Sequence, residues 1–161
     1  MNIKNIFIHP FYTHRPYLRQ ALKEKPLNIL EFGVGIGSSA VLYKYAKKNP
    51  NVKIVAYEND PVWLQKMAEK YSLPNYTFHA VKDWNELLKA DNFKEKYDLV
   101  FIDQAPWAAR IQSLDTIKGQ ASKVILHDFD YFGDIWDKYK DIFKVEGHTE
   151  RKPPTLVLTK K

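Results

Sequence analysis

Glycines alternate at Gly33, Gly35 and Gly37, directly after the apolar run Ile29-Leu30 and the acid Glu31. An apolar run that closes on an acid and then on spaced glycines describes a buried strand opening into a turn that passes close to a ligand. Glycine fits such a turn because a Cβ would clash with the ligand or with a positive φ. After Ser38, a helical pattern continues through Ala40, Val41, Tyr43, Lys44, Ala46 and Lys47, so a helix N-terminus faces the same ligand. The chemistry such a segment serves is the holding of a nucleotide-like cofactor.

Acids recur at the ends of the apolar runs that follow. Glu31, Glu58, Asp83 and Asp103 close four runs in succession, and Asp128 closes a fifth. In a doubly wound sheet the carboxyl ends of the strands share one edge, and ligands bind there at the switch point. Glu58 lies where an acid reaches ribose hydroxyls in a cofactor-binding βαβ unit. Asp83 can accept from an adenine amino group, with Trp84 as a flat apolar wall; Asp83 can equally cap a helix and Trp84 fill core. Glu31 and Asp103 flank the switch point and can take up an ammonium or other donors of a cofactor tail. Asp60 reads as a helix cap.

The elements that position these residues alternate. A first helix is expected over about 17–25 with Thr13 as its cap, then a strand over 28–32 and a helix over 38–48. A strand over 53–57, a helix from Pro61 to about Tyr71, a strand over 76–81 and a short helix after Asp83 follow. Tyr97–Ile102 is the clearest buried strand. A helix near 108–118, a strand over 123–126 and a helix over 133–139 precede two closing strands near 142–146 and 155–159. The expected fold is α/β: a doubly wound, mostly parallel seven-stranded sheet with an antiparallel C-terminal hairpin and helices on both faces. Residues 147–154 are too few for a helical crossover, which makes the last pair antiparallel.

The 161 residues fit a single domain, with 1–25 as an N-terminal lid or docking helix. The absence of cysteine excludes disulfides and thiolate metal sites. No segment reads as a signal peptide or bilayer span, so a cytoplasmic protein without a membrane partner is expected. The net charge of +6 sits at the ends: 1–25 and 138–161 each carry +4, and the middle carries −2. Basic ends suit an anionic partner, nucleic acid included, or a solvated lysine-rich surface.

The glycine spacing is not that of a dinucleotide fingerprint, which needs glycine where Ser38 stands, nor of a P-loop, since no Gly-Lys-Ser/Thr follows. Glu31, Gly33, Gly35 and Gly37 resemble motif I of the class I S-adenosylmethionine-dependent methyltransferases. The resemblance runs over roughly residues 27–130 and takes in Glu58, Asp83-Trp84 and Asp103. It implies methyl transfer from S-adenosylmethionine, with Gly33–Gly37 and Ser38 under the methionine part, Glu58 on the ribose and Asp83 on the adenine. Positioning supplies most of the acceleration in such in-line attack on a sulfonium carbon.

Gly37-Ser-Ser-Ala-Val, Phe-Ile-Asp103 and Leu-His-Asp128 look like the catechol-type small-molecule O-methyltransferases. By that resemblance Asp103 and Asp128 would ligate Mg²⁺, with Asp130 standing in for the third ligand because Phe129 occupies its usual place. His127 is a general base or a satisfied strand-end histidine. Asp103-Gln-Ala-Pro-Trp107 does not match the motif of methyltransferases acting on planar amino nitrogens. Trp107 and Arg110 are candidate walls of the acceptor pocket, or helix-start residues. Tyr12, His14 and Arg15, in an aromatic, basic and turn-rich stretch, are candidates for acceptor contact. O-methylation of a small molecule or sugar is the leading expectation. A non-catalytic methyltransferase-like module, a nucleic-acid methyltransferase and a homodimer stay open.

Overall fold

The computed structural model of the chain describes residues 9–131 and 135–161. Seven strands form one sheet: β1 (Asn28–Phe32), β2 (Lys53–Glu58), β3 (Tyr76–Ala80), β4 (Leu99–Ile102), β5 (Lys123–His127), β6 (Phe143–His148) and β7 (Thr155–Lys160), in the order β3-β2-β1-β4-β5-β7-β6. The first five run parallel, while β7 lies antiparallel between β5 and β6, so the expected hairpin closes the sheet. The order reverses between β1 and β4. That is where neighbouring strands send their connections to opposite sides and leave a crevice.

The central strands are buried on both faces, which is why they read as continuous apolar runs. Alternate residues serve different cores. Ile29, Leu99, Phe101 and Ile125 pack under α1 (Arg15–Leu22), α2 (Ile36–Lys48) and α3 (Pro61–Tyr71), through Leu18, Leu42 and Met67 among others. Leu30, Phe32, Val100, Ile102, Val124 and Leu126 pack under α4 (Trp84–Leu87), α5 (Trp107–Ile117) and α6 (Ile135–Tyr139), through Trp84, Leu114, Ile117 and Tyr139.

The first helix departs from expectation. It starts at Arg15, ends at Leu22 and has no side-chain cap, because the Thr13 hydroxyl is turned inward to His127. Asp60 does cap α3, accepting from Val62 and Trp63 N–H, both at 3.0 Å. Gly133, in the expected helix over 133–139, lies outside the described residues, as do 1–8 of the N-terminal segment.

Glu31 is wholly buried beneath the glycine turn. It accepts from Ser38 Oγ (2.6 Å), Tyr76 Oη (2.5 Å) and Ser39 Oγ (3.4 Å). Ala56, its register partner on β2, is small enough to let Tyr76 reach across from β3. Motif I's acid thus ties three strands and the start of α2 together from below.

Burial raises the Glu31 carboxyl from 4.5 to about 7, against the opposing pull of the Ser38, Tyr76 and Ser39 hydroxyls. The folded chain therefore holds a proton that the unfolded chain releases between these values, and this contribution to stability is lost as pH rises through that window. Glu31→Gln removes it. Denaturant titrations across pH 4.5 to 8 should show the variant gaining on the parent by roughly 3 kcal/mol. Parallel curves would mean that Glu31 is ionised throughout.

Candidate active site

A cleft of about 390 Å³ opens at the carboxyl ends of β1, β4 and β5. Gly35, Gly37 and Val34 form its floor, Tyr12 and His14 one wall, and Asp103, Arg110, His127 and Asp128 the other. The three glycines do different work. Gly33 has φ +82°, and a Cβ there would stand 2.4 Å from the Gln104 backbone nitrogen. A Cβ on Gly37 would stand 2.2 Å from the Phe11 carbonyl and 2.7 Å from the His14 ring. These two glycines admit the chain itself: the turn after β4 in one case, the N-terminal segment in the other. Only Gly35 leaves open space, its nearest atom being Ser38 Oγ at 3.9 Å. Its backbone is extended, and of the two glycines on the cleft floor it is the one where a side chain would enter open space.

Arg110 joins the ends of β4 and β5. From the first turns of α5 it donates Nε–H to Gln104 O (2.8 Å), Nη1 to His127 O (2.8 Å) and Asp128 Oδ2 (3.3 Å), and Nη2 to Asp103 O (3.3 Å) and Oδ1 (3.0 Å). A guanidinium has five N–H donors in a fixed fork, so every one is taken. The side chain is only 6% exposed, and no donor is left for an acceptor molecule. Asp128 meets it from φ 54°, a left-handed conformation that aspartate tolerates better than most residues.

His127 continues the network. Nδ1 lies 3.1 Å from Asp103 Oδ1 and Nε2 lies 2.8 Å from Thr13 Oγ1. An ionised carboxylate only accepts, so Nδ1 donates to Asp103, and in the neutral ring Nε2 accepts from Thr13. The Asp-His-hydroxyl connectivity is that of a nucleophilic triad, but Thr13 is buried and does not line the cleft. The chain of bonds instead docks the N-terminal segment and fixes the Asp103 carboxylate. Arg15 adds to that docking through Gly37 O and Ile36 O, both at 3.0 Å, with its guanidinium 3.8 Å from the centre of the Tyr12 ring.

Among the described residues, His14 is the cleft residue whose buried side-chain nitrogens have no hydrogen-bond partner. Both ring nitrogens are buried and unbonded, while the ring packs on Phe101 and edge-on to His127, each at 4.7 Å. Burial, then the neighbouring His127, lowers its pKa from 6.5 to about 3, so the ring is neutral in the folded protein.

The remaining sequence candidates lie outside the cleft lining. Glu58 is buried and accepts from Val34 N (3.0 Å), Asn59 N (2.8 Å) and Asp60 N (2.9 Å). With its amide turned to satisfy both groups, Asn59 also donates to Glu58 (3.1 Å) and to Ala105 O (3.2 Å). Asp83 caps α4 through Asn85 N (2.8 Å) and is exposed. Trp84 is buried in the core and donates Nε1–H to Ala105 O (2.8 Å). Trp107, at the start of α5, is 47% exposed. Two aromatic residues of the cleft escaped the sequence reading. Phe11 sits beside Tyr12 at the cleft mouth. Trp63, two residues into α3, reaches Val34 O at 2.7 Å; its position after the Asp60-Pro61 cap was the available signal.

The carboxylates do not fit Mg²⁺. A guanidinium already bridges Asp103 and Asp128, and Asp130 is exposed and does not converge with them. Hard divalent cations need oxygen ligands around a shared centre, and here that centre holds Arg110. The expected set Asp103, Asp128 and Asp130 is therefore replaced by an internal ion-pair network.

No family model and no curated protein matches the chain. Solved structures do. A Staphylococcus aureus protein provisionally named a caffeoyl-CoA O-methyltransferase is similar at TM-score 0.70 and 16% identity, over 91% of this chain and 82% of that one. The Podospora anserina methyltransferase PaMTH1, bound to S-adenosylhomocysteine (SAH), is similar at TM-score 0.66 and 18% identity, over 89% and 76%. An rRNA methylase from Streptococcus thermophilus is similar at TM-score 0.64 and 14% identity, over 96% and 98%. The chain has the Rossmann-like fold of the S-adenosylmethionine-dependent methyltransferases. Among the described residues, no helix is long and apolar enough to cross a membrane.

Arg110→Lys keeps the charge but supplies three donors in place of five, leaving at least two acceptors unpaired. It should cost about 2 kcal/mol, or roughly 4–8 °C in thermal midpoint, and added Mg²⁺ should not restore it. Rescue by Mg²⁺ would return the metal to this site. For His14 the sign is opposite to that of Glu31. Its depressed pKa makes its contribution to stability present above pH 6.5 and lost as pH falls toward 3. His14→Leu should therefore flatten acid denaturation over that window, as followed by circular dichroism.

Proposed function

We propose that this chain transfers a methyl group from S-adenosylmethionine to an acceptor hydroxyl with no Mg²⁺ between Asp103 and Asp128. The observation that carries the reading is the open floor at Gly35, set at the switch point beneath a wall in which carboxylates outnumber cations. Two carboxylates, Asp103 and Asp128, share a single guanidinium there, and such an excess suits a sulfonium and an ammonium. When bound, S-adenosylmethionine supplies an electrophilic methyl carbon on a positively charged sulfur.

The chain's own residues then divide the work. Asp103 Oδ1 is held by Arg110 and His127, which leaves Oδ2 as the oxygen that can orient an acceptor O–H and take its proton. His127 acts as a positioning residue. Glu58 retains one acceptor site on Oε2 for a ribose hydroxyl, and Asp83 one oxygen for an adenine amino group. Tyr12 and His14 exclude water from the methionine side.

A second reading, a module that binds the cofactor without turnover, draws on one observation. Glu58 already accepts from its own chain at both oxygens, so less of it remains for a ligand.

Gly35→Val tests the primary reading. Its extended backbone tolerates a β-branched residue, and the helix N-cap loses only about 1 kcal/mol. Calorimetric titration with SAH should show micromolar binding in the parent and at least about a hundredfold loss in the variant, whose melting stays near that of the parent. Equal affinities would remove the ligand from Gly35.

A further inference from the structure

The methyl-transfer reading leaves the acceptor unnamed, and a surface beside the cleft bears on it. Arg15, Arg19 and Lys23 recur at intervals of four along α1, and Lys44 and Lys48 do so along α2. Residues four apart lie on one face of a helix, so each set forms a row. The helices run side by side in the same direction: Arg15 at the start of α1 bonds the first carbonyls of α2, and Leu22 and Lys23 meet Lys44, Tyr45 and Lys48 at the far ends. The two rows therefore face each other across a groove of about 310 Å³, and no acid lines it. Arg15 stands at its head, stacked on Tyr12, which lines the cleft.

These cations differ from those at the other end of the chain. Lys138, Lys140 and Lys144 pair with Asp115 (2.6 Å), Asp137 (2.9 Å) and Glu146 (3.1 Å). None of the five groove cations pairs with a carboxylate among the described residues. Like charges four apart cost a helix a few tenths of a kcal/mol per pair, and among the described residues no carboxylate offsets that cost. The groove cations of α1 and α2 are open to an outside anion, whereas three of the seven cations at the basic C-terminal end are paired where they stand.

We propose that this groove holds the phosphodiester backbone of a single-stranded nucleic acid and leads one nucleotide into the cleft. A helix rises 1.5 Å per residue, so α2 carries the track about 18 Å from the cleft floor, long enough for several phosphates. At the mouth, Phe11 is 70% exposed, an aromatic face of the kind on which unpaired bases stack. Backbone charge contacts combined with an aromatic platform give affinity with little sequence preference. The proposal rests on the methyl-transfer reading only for what happens inside the cleft.

The test is fluorescence anisotropy with a labelled, mixed-sequence single-stranded RNA of about 12 nucleotides, at salt between roughly 50 and 200 mM. Full engagement of both rows predicts a slope of log K against log salt of about −3.5. Lys44→Ala combined with Lys48→Ala should make that slope shallower by about 1.4 and weaken binding by about 25-fold at 0.1 M salt. SAH affinity, measured separately by calorimetry, should not change in this variant. No RNA binding at the lowest salt overturns the proposal, as does a variant indistinguishable from the parent or a duplex that competes as well as the single strand. If RNA binds as expected while SAH does not bind at all, the methyl-transfer reading fails and the groove stands.

Discussion

One buried guanidinium holds the functional edge of this molecule together. Among the described residues, Arg110 is the one Lys or Arg that bridges the carboxylates ending β4 and β5, and all five of its donors go to chain atoms of those two ends. Removing charges from water is costly, and a buried pair is repaid only when each donor and acceptor finds a partner. Every donor of this guanidinium is partnered, so the pair acts as a geometric constraint. It sets where Asp103 points, fixes the turn carrying Gln104 against Gly33, and closes off the place where a metal would sit.

Acids of one chemical type serve three ends along the same sheet edge, and burial decides which. Glu31, fully enclosed, is held by hydroxyl donors and leans toward its protonated form. Glu58, slightly less enclosed, gathers backbone N–H groups and ties the glycine turn to the loop after β2. Asp103, a quarter exposed, is braced from behind and faces the cleft. A gradient of solvent access thus separates the enclosed acids from the one that faces the cleft. The N-terminal segment completes the edge, docked by Thr13 on His127 and by Arg15 on the first turn of α2.

Much of this was legible in the sequence. A mostly parallel sheet, the antiparallel closing pair and helices on both faces follow from local periodicity and loop length, since apolar runs, caps and short connections are local signals. So was the row of strand-end acids, because a strand's end is marked by where its apolar run stops. The purposes of Gly33 and Gly37 were not legible. Their missing side chains make room for Gln104 and for Phe11 and His14, which are distant in sequence and meet only in the fold. Arg110 read as a pocket wall or a helix-start residue, because nothing near it in sequence announces two carboxylates. Thr13 read as a cap for the same reason: its partner, His127, lies 114 residues away.

The most direct test of this account is a crystal structure of the protein grown with saturating SAH and Mg²⁺ together. The account predicts the homocysteine portion over Gly35, the Arg110 guanidinium still between Asp103 and Asp128, and no metal at that position. A magnesium ion ligated by Asp103 and Asp128 with Arg110 turned away, or a ligand seated anywhere other than over Gly35, would contradict it.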